Sequence, residues 1–207
     1  MAMAVTVAVI AGFAAAAPAQ AQPQPAVVEP VTAQDLGATW RPECPVAPAQ
    51  LRRIELDYLG LDTVTHRGQI VVNQDLVDDT IAVFDRLYRM GFPIERMRTA
   101  DQYPNADDEL SMRDNNTSAF NCRDIPGTGR WSYHAYGRAI DLNPRFNPYI
   151  DSEGIQPANA EVYADRDRID PGLLHAGDAA VRAFTEHGWR WGGNWRSPKD
   201  YQHFERD

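Results

Sequence analysis

Residues 132–144 (SYHAYGRAIDLNP) carry a histidine and an aspartate seven positions apart, next to a strand-like run. In a strand, alternate residues share a face, so Ile140 and Leu142 would face the core and Asp141 the opposite side. His134 precedes the turn and can lie beside Asp141. A neutral imidazole and a carboxylate are ligands that zinc accepts. The pair alone is weak support for a metal site, since a surface hydrogen bond is the commoner role.

The C-terminal residues 200–207 (DYQHFERD) offer a third ligand in His203. Three protein ligands with one open position are typical of catalytic zinc sites, whereas structural sites are usually closed by four. Asp200 is an acid that is not needed as a ligand, so it could move protons between the attacking water and a leaving amine. Strict alternation would place Asp200 and His203 on opposite faces. We therefore expect Asp200 in the turn after Pro198.

These residues fit a two-part pattern, S-x-H-x-x-G-x-A-x-D followed near the C-terminus by D-x-x-H. The first part is formed by Ser132, His134, Gly137, Ala139 and Asp141. The pattern resembles the zinc D-alanyl-D-alanine carboxypeptidases, a group that includes vancomycin-resistance D,D-peptidases and phage L-Ala-D-Glu endolysins. The resemblance covers about residues 97–205, and the stretches NNTSAFNCR, NPRFNPY and GWRWGGNW resemble the VanY-like branch.

The resemblance implies a role for each matching residue. The implied zinc ligands are His134, Asp141 and His203. Asp200 stands where many relatives have glutamate in E-x-x-H, so it is implied to be the base, although its side chain is one methylene shorter. By position, Arg123 matches the arginine that binds the substrate carbonyl or developing oxyanion. The alternative for Arg123 is an ion pair with a nearby acid such as Asp124.

Three further residues are candidates for supporting the site. Ser132 could hydrogen-bond a ligand or the substrate, and Glu205 could orient a ligand. Trp191 is our candidate from the cluster Trp189, Trp191 and Trp195, one of which could line a substrate groove. A purely structural role is an equal alternative for each.

Composition and charge limit the class of protein. The chain has 207 residues, a net charge of −9 and ordinary hydrophobic and charged fractions of 43% and 24%. This length suits one domain. A chain this acidic, without a basic run, argues against nucleic acid as a partner. We expect a monomer that acts on peptidoglycan peptides.

The N-terminal residues predict export. Residues 1–21 contain no charged side chain and end in Ala-Gln-Ala, which is typical of a signal peptide cleaved after residue 21. No Lys or Arg precedes the apolar run, and a buried helix is the alternative. Residues 22–39, rich in Ala, Pro, Gln and Val, would form a poorly ordered tether, and 40–207 the metallopeptidase domain. The mature protein would be secreted or periplasmic, without stable membrane insertion.

The sequence contains two cysteines, Cys44 and Cys122, so only one intramolecular bridge is possible. Export would let a disulfide persist. It would stabilise the fold by ~4 kcal/mol on the chain-entropy model. Two separate buried thiols are the alternative.

The order of predicted elements indicates an α+β fold with a small antiparallel sheet, flanking helices and long loops at the site. The resemblance implies the D-Ala-D-Ala metallopeptidase fold, which is shared with Hedgehog. Strands are predicted at 54–59, 63–72 (with a break at Arg67-Gly68), 96–102, 139–143, 189–191 and 201–205. Helices are predicted from an N-cap at Asn73 to Gly91 and over 178–187, with a helical turn at 107–113.

The sequence therefore predicts a secreted zinc peptidase acting on cell-wall stem peptides, foremost a D,D-carboxypeptidase. An endopeptidase that cuts L-Ala-D-Glu or a cross-bridge is the alternative with the same chemistry. A non-catalytic zinc-containing module that binds cell-wall peptide is the alternative of another class. Asp200 disfavours that module, because a binding module needs no acid beside its third ligand.

Overall fold

The computed structural model describes residues 22–207; the predicted signal peptide lies outside the described residues. The helices are α1 (Ala33–Leu36), α2 (Val77–Arg89), α3 (Asp108–Arg113) and α4 (Ala179–Thr185). The strands are β1 (Val27–Pro30), β2 (Leu51–Leu59), β3 (Thr65–Asn73), β4 (Arg96–Met97), β5 (Asn116–Thr117), β6 (Asp124–Ile125), β7 (Arg130–Trp131), β8 (Ala139–Asp141), β9 (Tyr149–Ile150), β10 (Ile155–Gln156), β11 (Arg190–Trp191), β12 (Lys199–Asp200) and β13 (His203–Glu205).

The long hairpin of β2 and β3 forms one side of the molecule. The strands pair antiparallel over their full lengths, from Leu51 opposite Asn73 to Leu59 opposite Thr65. The two predicted strands are thus confirmed, but β3 is not broken into a hairpin at Arg67-Gly68. Gly68 packs closely against Met97. A Cβ at position 68 would lie only 2.7 Å from Met97 Cβ, so the absence of a side chain permits this packing.

Helix α2 covers the hairpin with its apolar face. The buried face includes Val83, Phe84 and Leu87 at helical spacing. Asp78 and Asp79 lie in the first turn, where a helix N-terminus favours negative charge. The predicted helix and its end near Gly91 are confirmed, but α2 begins at Val77 after a 3₁₀ turn, and the side chain of Asn73 makes no cap hydrogen bond.

The segment that was expected to be an irregular tether contains regular structure. β1 pairs antiparallel with β2, and α1 begins at the cap residue Thr32, whose hydroxyl accepts a hydrogen bond from the backbone N–H of Asp35. Val31 and Leu36 are buried in a second hydrophobic cluster beside the hairpin. Burial of these two side chains explains the difference, since the composition of the segment gave no periodic signal.

A disulfide joins Cys44 to Cys122, as predicted. Cys122 lies in the same buried cluster as Leu36 and Leu51. The bond therefore connects the N-terminal part of the described chain to the segment that carries Arg123.

The main core lies between the hairpin, α2, α4 and a small sheet of order β11-β13-β8. Ile140 and Phe204 are directly opposite each other in this sheet and are fully buried. Phe204 also stacks on Phe184 of α4, with ring centroids 3.8 Å apart. Helices with small antiparallel sheets make the fold α+β. Between residues 22 and 207, no helix is long and apolar enough to cross a bilayer.

Candidate metal centre

The register of β8 and β13 places an aspartate beside a histidine. His203 lies directly opposite Asp141, one position along from the core pair Ile140 and Phe204. Because side chains alternate along a strand, the two polar side chains share the face away from the core. His203 Nδ1 is 3.0 Å from Asp141 Oδ1.

His134 reaches the same place from a 3₁₀ turn, Tyr133–Tyr136, that precedes β8. Ser132 caps this turn, since its hydroxyl accepts a hydrogen bond from the His134 N–H at 3.3 Å. Gly137 ends the turn in the left-handed region, at φ +66°. A Cβ on Gly137 would lie 2.7 Å from the backbone nitrogen of Asn73.

His134, Asp141 and His203 form a compact, buried cluster. His134 Nε2 is 3.1 Å from Asp141 Oδ2 and 3.2 Å from His203 Nδ1. One ligand atom from each residue lies within 4.8 Å of the other two. The structure thus brings together the three residues that the sequence named as ligands.

Hydrogen bonds behind the rings set which nitrogen faces the cluster. His134 Nδ1 is 2.6 Å from the carbonyl oxygen of Ala119, which can only accept, so Nδ1 carries the proton and Nε2 presents a lone pair. His203 Nε2 is 3.4 Å from Glu205 Oε2, so a proton on Nε2 faces Glu205 and Nδ1 is directed to Asp141. When both imidazoles are neutral, three electron-rich atoms therefore converge, an arrangement that favours a cation between them.

The charges of the cluster shift its pKa values strongly. Burial raises the pKa of Asp141, but the charges and hydrogen bonds of His134 and His203 outweigh it and hold that pKa well below its usual range. Burial lowers the pKa of His203, but hydrogen bonds to Asp141 and Glu205 outweigh it and raise the pKa to about 10. Without a metal, the cluster thus holds a proton that a metal ion would displace.

Asp200 lies in a different sheet from His203. β12 pairs with β9, where Asp200 is opposite Tyr149, and the chain then bends at Tyr201 before β13 begins. Asp200 is thus at the end of a two-residue strand and not in a turn. The change of sheet removes the conflict with strict alternation. A Cβ at Gly192 would come within 2.6 Å of the Asp200 carbonyl oxygen, so this glycine permits the close approach.

Burial raises the pKa of the Asp200 carboxyl to about 7, and the charges of His203, Asp141 and Arg123 act on it as well. Asp200 Oδ1 is buried and has no hydrogen-bond partner among residues 22–207. The charges of the cluster therefore act on this carboxyl, and its Oδ1 remains available to accept a hydrogen bond.

Arg123 forms an ion pair with an acid that the sequence did not indicate. Its Nη2 is 2.9 Å from Asp108 Oδ2 on α3, whereas the sequence had suggested Asp124. Both side chains are about one-third exposed. Within residues 22–207, Arg123 Nε is buried without a hydrogen-bond partner. The guanidinium is therefore anchored at one end and has an unused donor.

The tryptophans divide between core and site. Trp191 is 3% exposed, and its indole N–H donates to the Tyr201 carbonyl at 2.8 Å, so it supports the bend before His203 from inside the core. Trp195 is partly exposed, and its ring centroid is 5.5 Å from that of His203. Of the two, Trp195 is the one positioned to line a groove at the cluster.

A buried His-Asp-His set beside a carboxylate of raised pKa defines the class of the site: it is a candidate centre of a metal-dependent hydrolase. A sequence model of the D-alanyl-D-alanine carboxypeptidase family matches residues 126–206, which include all three cluster residues and Asp200. Residues 126–206 are thus similar in sequence to the D-Ala-D-Ala metallopeptidase family. The comparisons with curated proteins and with solved structures gave no match.

Proposed function

We propose that the protein is an exported, monomeric zinc peptidase of the D-Ala-D-Ala metallopeptidase fold that acts on peptidoglycan stem peptides. The leading activity is that of a D,D-carboxypeptidase, which removes the terminal D-Ala. The observation that carries the proposal is the convergence of His134, Asp141 and His203 beside Asp200. The family match supports the substrate class.

The cluster fits zinc by the chemistry of its ligand atoms. Two imidazole nitrogens with lone pairs and one carboxylate suit zinc better than Mg²⁺ or Ca²⁺, which prefer oxygen ligands. His134, Asp141 and His203 would hold the ion, and Ala119 and Glu205 would fix the orientation of the two rings. A bound zinc would polarise the scissile carbonyl and lower the pKa of an attacking water from about 15.7 towards about 7.

Asp200 supplies the proton transfer in this proposal. Its carboxylate accepts a proton from the water as the water oxygen attacks the scissile carbon. The same proton passes to the amine nitrogen as the C–N bond breaks. A pKa raised to about 7 by burial suits a group that must both accept and release a proton near neutral pH.

Arg123 stabilises the negative charge that develops on the carbonyl oxygen. Its buried Nε–H, which has no partner within residues 22–207, is available as a donor, and the ion pair with Asp108 restricts the guanidinium to one orientation. A fixed cation of this kind acts on the transition state more than on the substrate.

The test uses diacetyl-L-Lys-D-Ala-D-Ala, with mass spectrometry of the products. The proposal predicts release of one D-Ala, loss of activity after the metal is removed by a chelator, and recovery when zinc is added. Cleavage of L-Ala-D-Glu in muropeptides, with none of the tripeptide, would replace the carboxypeptidase by the endopeptidase. A zinc-loaded protein that binds these peptides and cleaves none would show that the domain is a binding module.

A further inference from the structure

Arg190 lies behind the metal cluster and belongs to none of the roles described above. It is in β11, directly opposite Glu205 of β13. Its Nη2 and Nε are 3.0 and 3.3 Å from Glu205 Oε1. Both contacts use one oxygen of the carboxylate, so the other oxygen, Oε2, remains directed at His203.

The Arg190 guanidinium also forms hydrogen bonds with Asp207 and Tyr133. Arg190 Nη1 and Nη2 donate to the two oxygens of Asp207, at 2.5 and 3.1 Å. The Tyr133 hydroxyl donates to Asp207 Oδ1 at 2.7 Å and accepts from Arg190 Nη2 at 3.2 Å. The guanidinium also lies over the Tyr133 ring, 5.7 Å from its centroid. Arg190 is therefore fixed although its side chain is 48% exposed.

This network contacts both histidine-bearing segments. Glu205 connects Arg190 to the ring of His203, and Tyr133 directly precedes His134 in the 3₁₀ turn. Planar guanidinium groups hold carboxylates in a defined geometry that a lysine cannot reproduce. Partners behind a metal ligand fix its tautomer and its ring orientation.

We infer that Arg190 is a positioning residue for the metal centre: it holds Glu205 so that His203 presents Nδ1 to the metal. The inference rests on the proposed function, since it assumes that the cluster binds zinc. Arg190 is not one of the proposed ligands, so its removal should weaken metal binding while the loaded enzyme keeps most of its kcat.

The experiment measures the zinc Kd of the metal-free protein by competition with a chromophoric chelator. Arg190→Gln should raise the Kd ~10-fold, at the lower end of the usual effect of residues behind metal ligands. Arg190→Lys should give a smaller increase, because it keeps the charge and loses the planar fork. The matched control is Arg86→Gln, which removes another half-exposed arginine that pairs with a carboxylate, Glu186, away from the cluster; its Kd should stay unchanged.

A double-mutant cycle separates positioning from general destabilisation. If Arg190 acts through Glu205, the double variant Arg190→Gln/Glu205→Gln should bind zinc no more weakly than Glu205→Gln alone. The inference would be overturned if the two substitutions raised the zinc Kd independently, so that their fold-increases multiplied in the double variant. A folded Arg190→Gln protein with the wild-type Kd would also overturn it. Should Arg190→Gln not fold, Arg190→Lys and its cycle with Glu205→Gln decide by the same criterion. Failure of the wild-type protein to bind zinc would instead overturn the proposed metal centre.

Discussion

At the scale of single residues, Asp200 and His203 differ in what surrounds them. His203 has a partner for each ring nitrogen, whereas Asp200 has a buried oxygen without a partner among residues 22–207. A side chain that is fully satisfied can be held in place as a ligand. A carboxylate with a spare acceptor and a raised pKa is suited to proton transfer.

Asp200→Asn tests this difference. The change keeps the volume of the side chain but removes its basicity, so turnover should fall at least ~10²-fold, the usual contribution of a positioned acid–base group. The loss should be in kcat more than in KM, and zinc should stay bound, because Asp200 is not one of the proposed ligands. Steady-state kinetics and elemental analysis on the same preparation check both points.

Asp62→Asn is the control for this substitution, since Asp62 is exposed at the end of the hairpin, where its carboxylate pairs with His66 and accepts a hydrogen bond from the backbone N–H of Val64. Its turnover should match that of the wild type. Near-normal turnover of a folded, zinc-loaded Asp200→Asn protein would exclude Asp200 as the base.

At the scale of elements, short segments with defined ends position the ligands. The 3₁₀ turn that carries His134 begins at the cap Ser132 and ends at Gly137, after which β8 delivers Asp141. Position 137 requires glycine for two reasons: its φ is positive, and it lies close to the Asn73 backbone. The hairpin thus fixes where the turn that carries His134 must end.

Gly137→Ala should therefore destabilise the fold and the metal centre together. The free energy of unfolding should fall by more than ~1 kcal/mol, because an L side chain is strained at this φ and its Cβ meets backbone. The zinc affinity should fall as well, because the His134 turn must shift. Denaturant unfolding and zinc competition measure the two effects.

Gly127→Ala is the matched control, since Gly127 has a similar φ of +71° but nothing within 4 Å of an added Cβ. It should cost about 1–2 kcal/mol, less than Gly137→Ala, and leave zinc affinity unchanged. Equal effects of the two substitutions would show that the contact with the hairpin does not position His134.

How far the sequence predicts the site depends on the distance along the chain between partners. His134 and Asp141 could be placed because a turn and a strand relate them locally, and the C-terminal motif added His203. The contact of Asp108 with Arg123 and that of Arg190 with Glu205 could not be predicted, because each joins separate segments of the chain. For an exposed arginine or acid, a sequence offers many equivalent residues as possible ion-pair partners.

The same limit explains two differences in the fold. Residues 22–39 gave no periodic pattern because only a few side chains there, such as Leu36, pack on the hairpin. Three tryptophans within seven residues indicated a groove, but alternation along such a short strand could not tell the buried Trp191 from Trp195, which lies beside His203.

At the scale of the whole molecule, the core and the candidate site are built from the same small sheet. Ile140 and Phe204 fill the core on one face, and Asp141 with His203 forms the cluster on the other. The disulfide from Cys44 to Cys122 connects the N-terminal cluster to the segment of Arg123. The same strand pairing that builds the core therefore places Asp141 and His203 side by side.

The zinc content of His203→Ala, measured by elemental analysis, tests the central claim most directly. The wild-type protein should carry one zinc per chain, held by His134, Asp141 and His203. His203→Ala should lose most of it, since two remaining ligands hold zinc poorly, while the exposed His66→Ala should keep it. Full zinc occupancy in a folded His203→Ala protein would contradict the three-residue centre from which the proposed chemistry is derived.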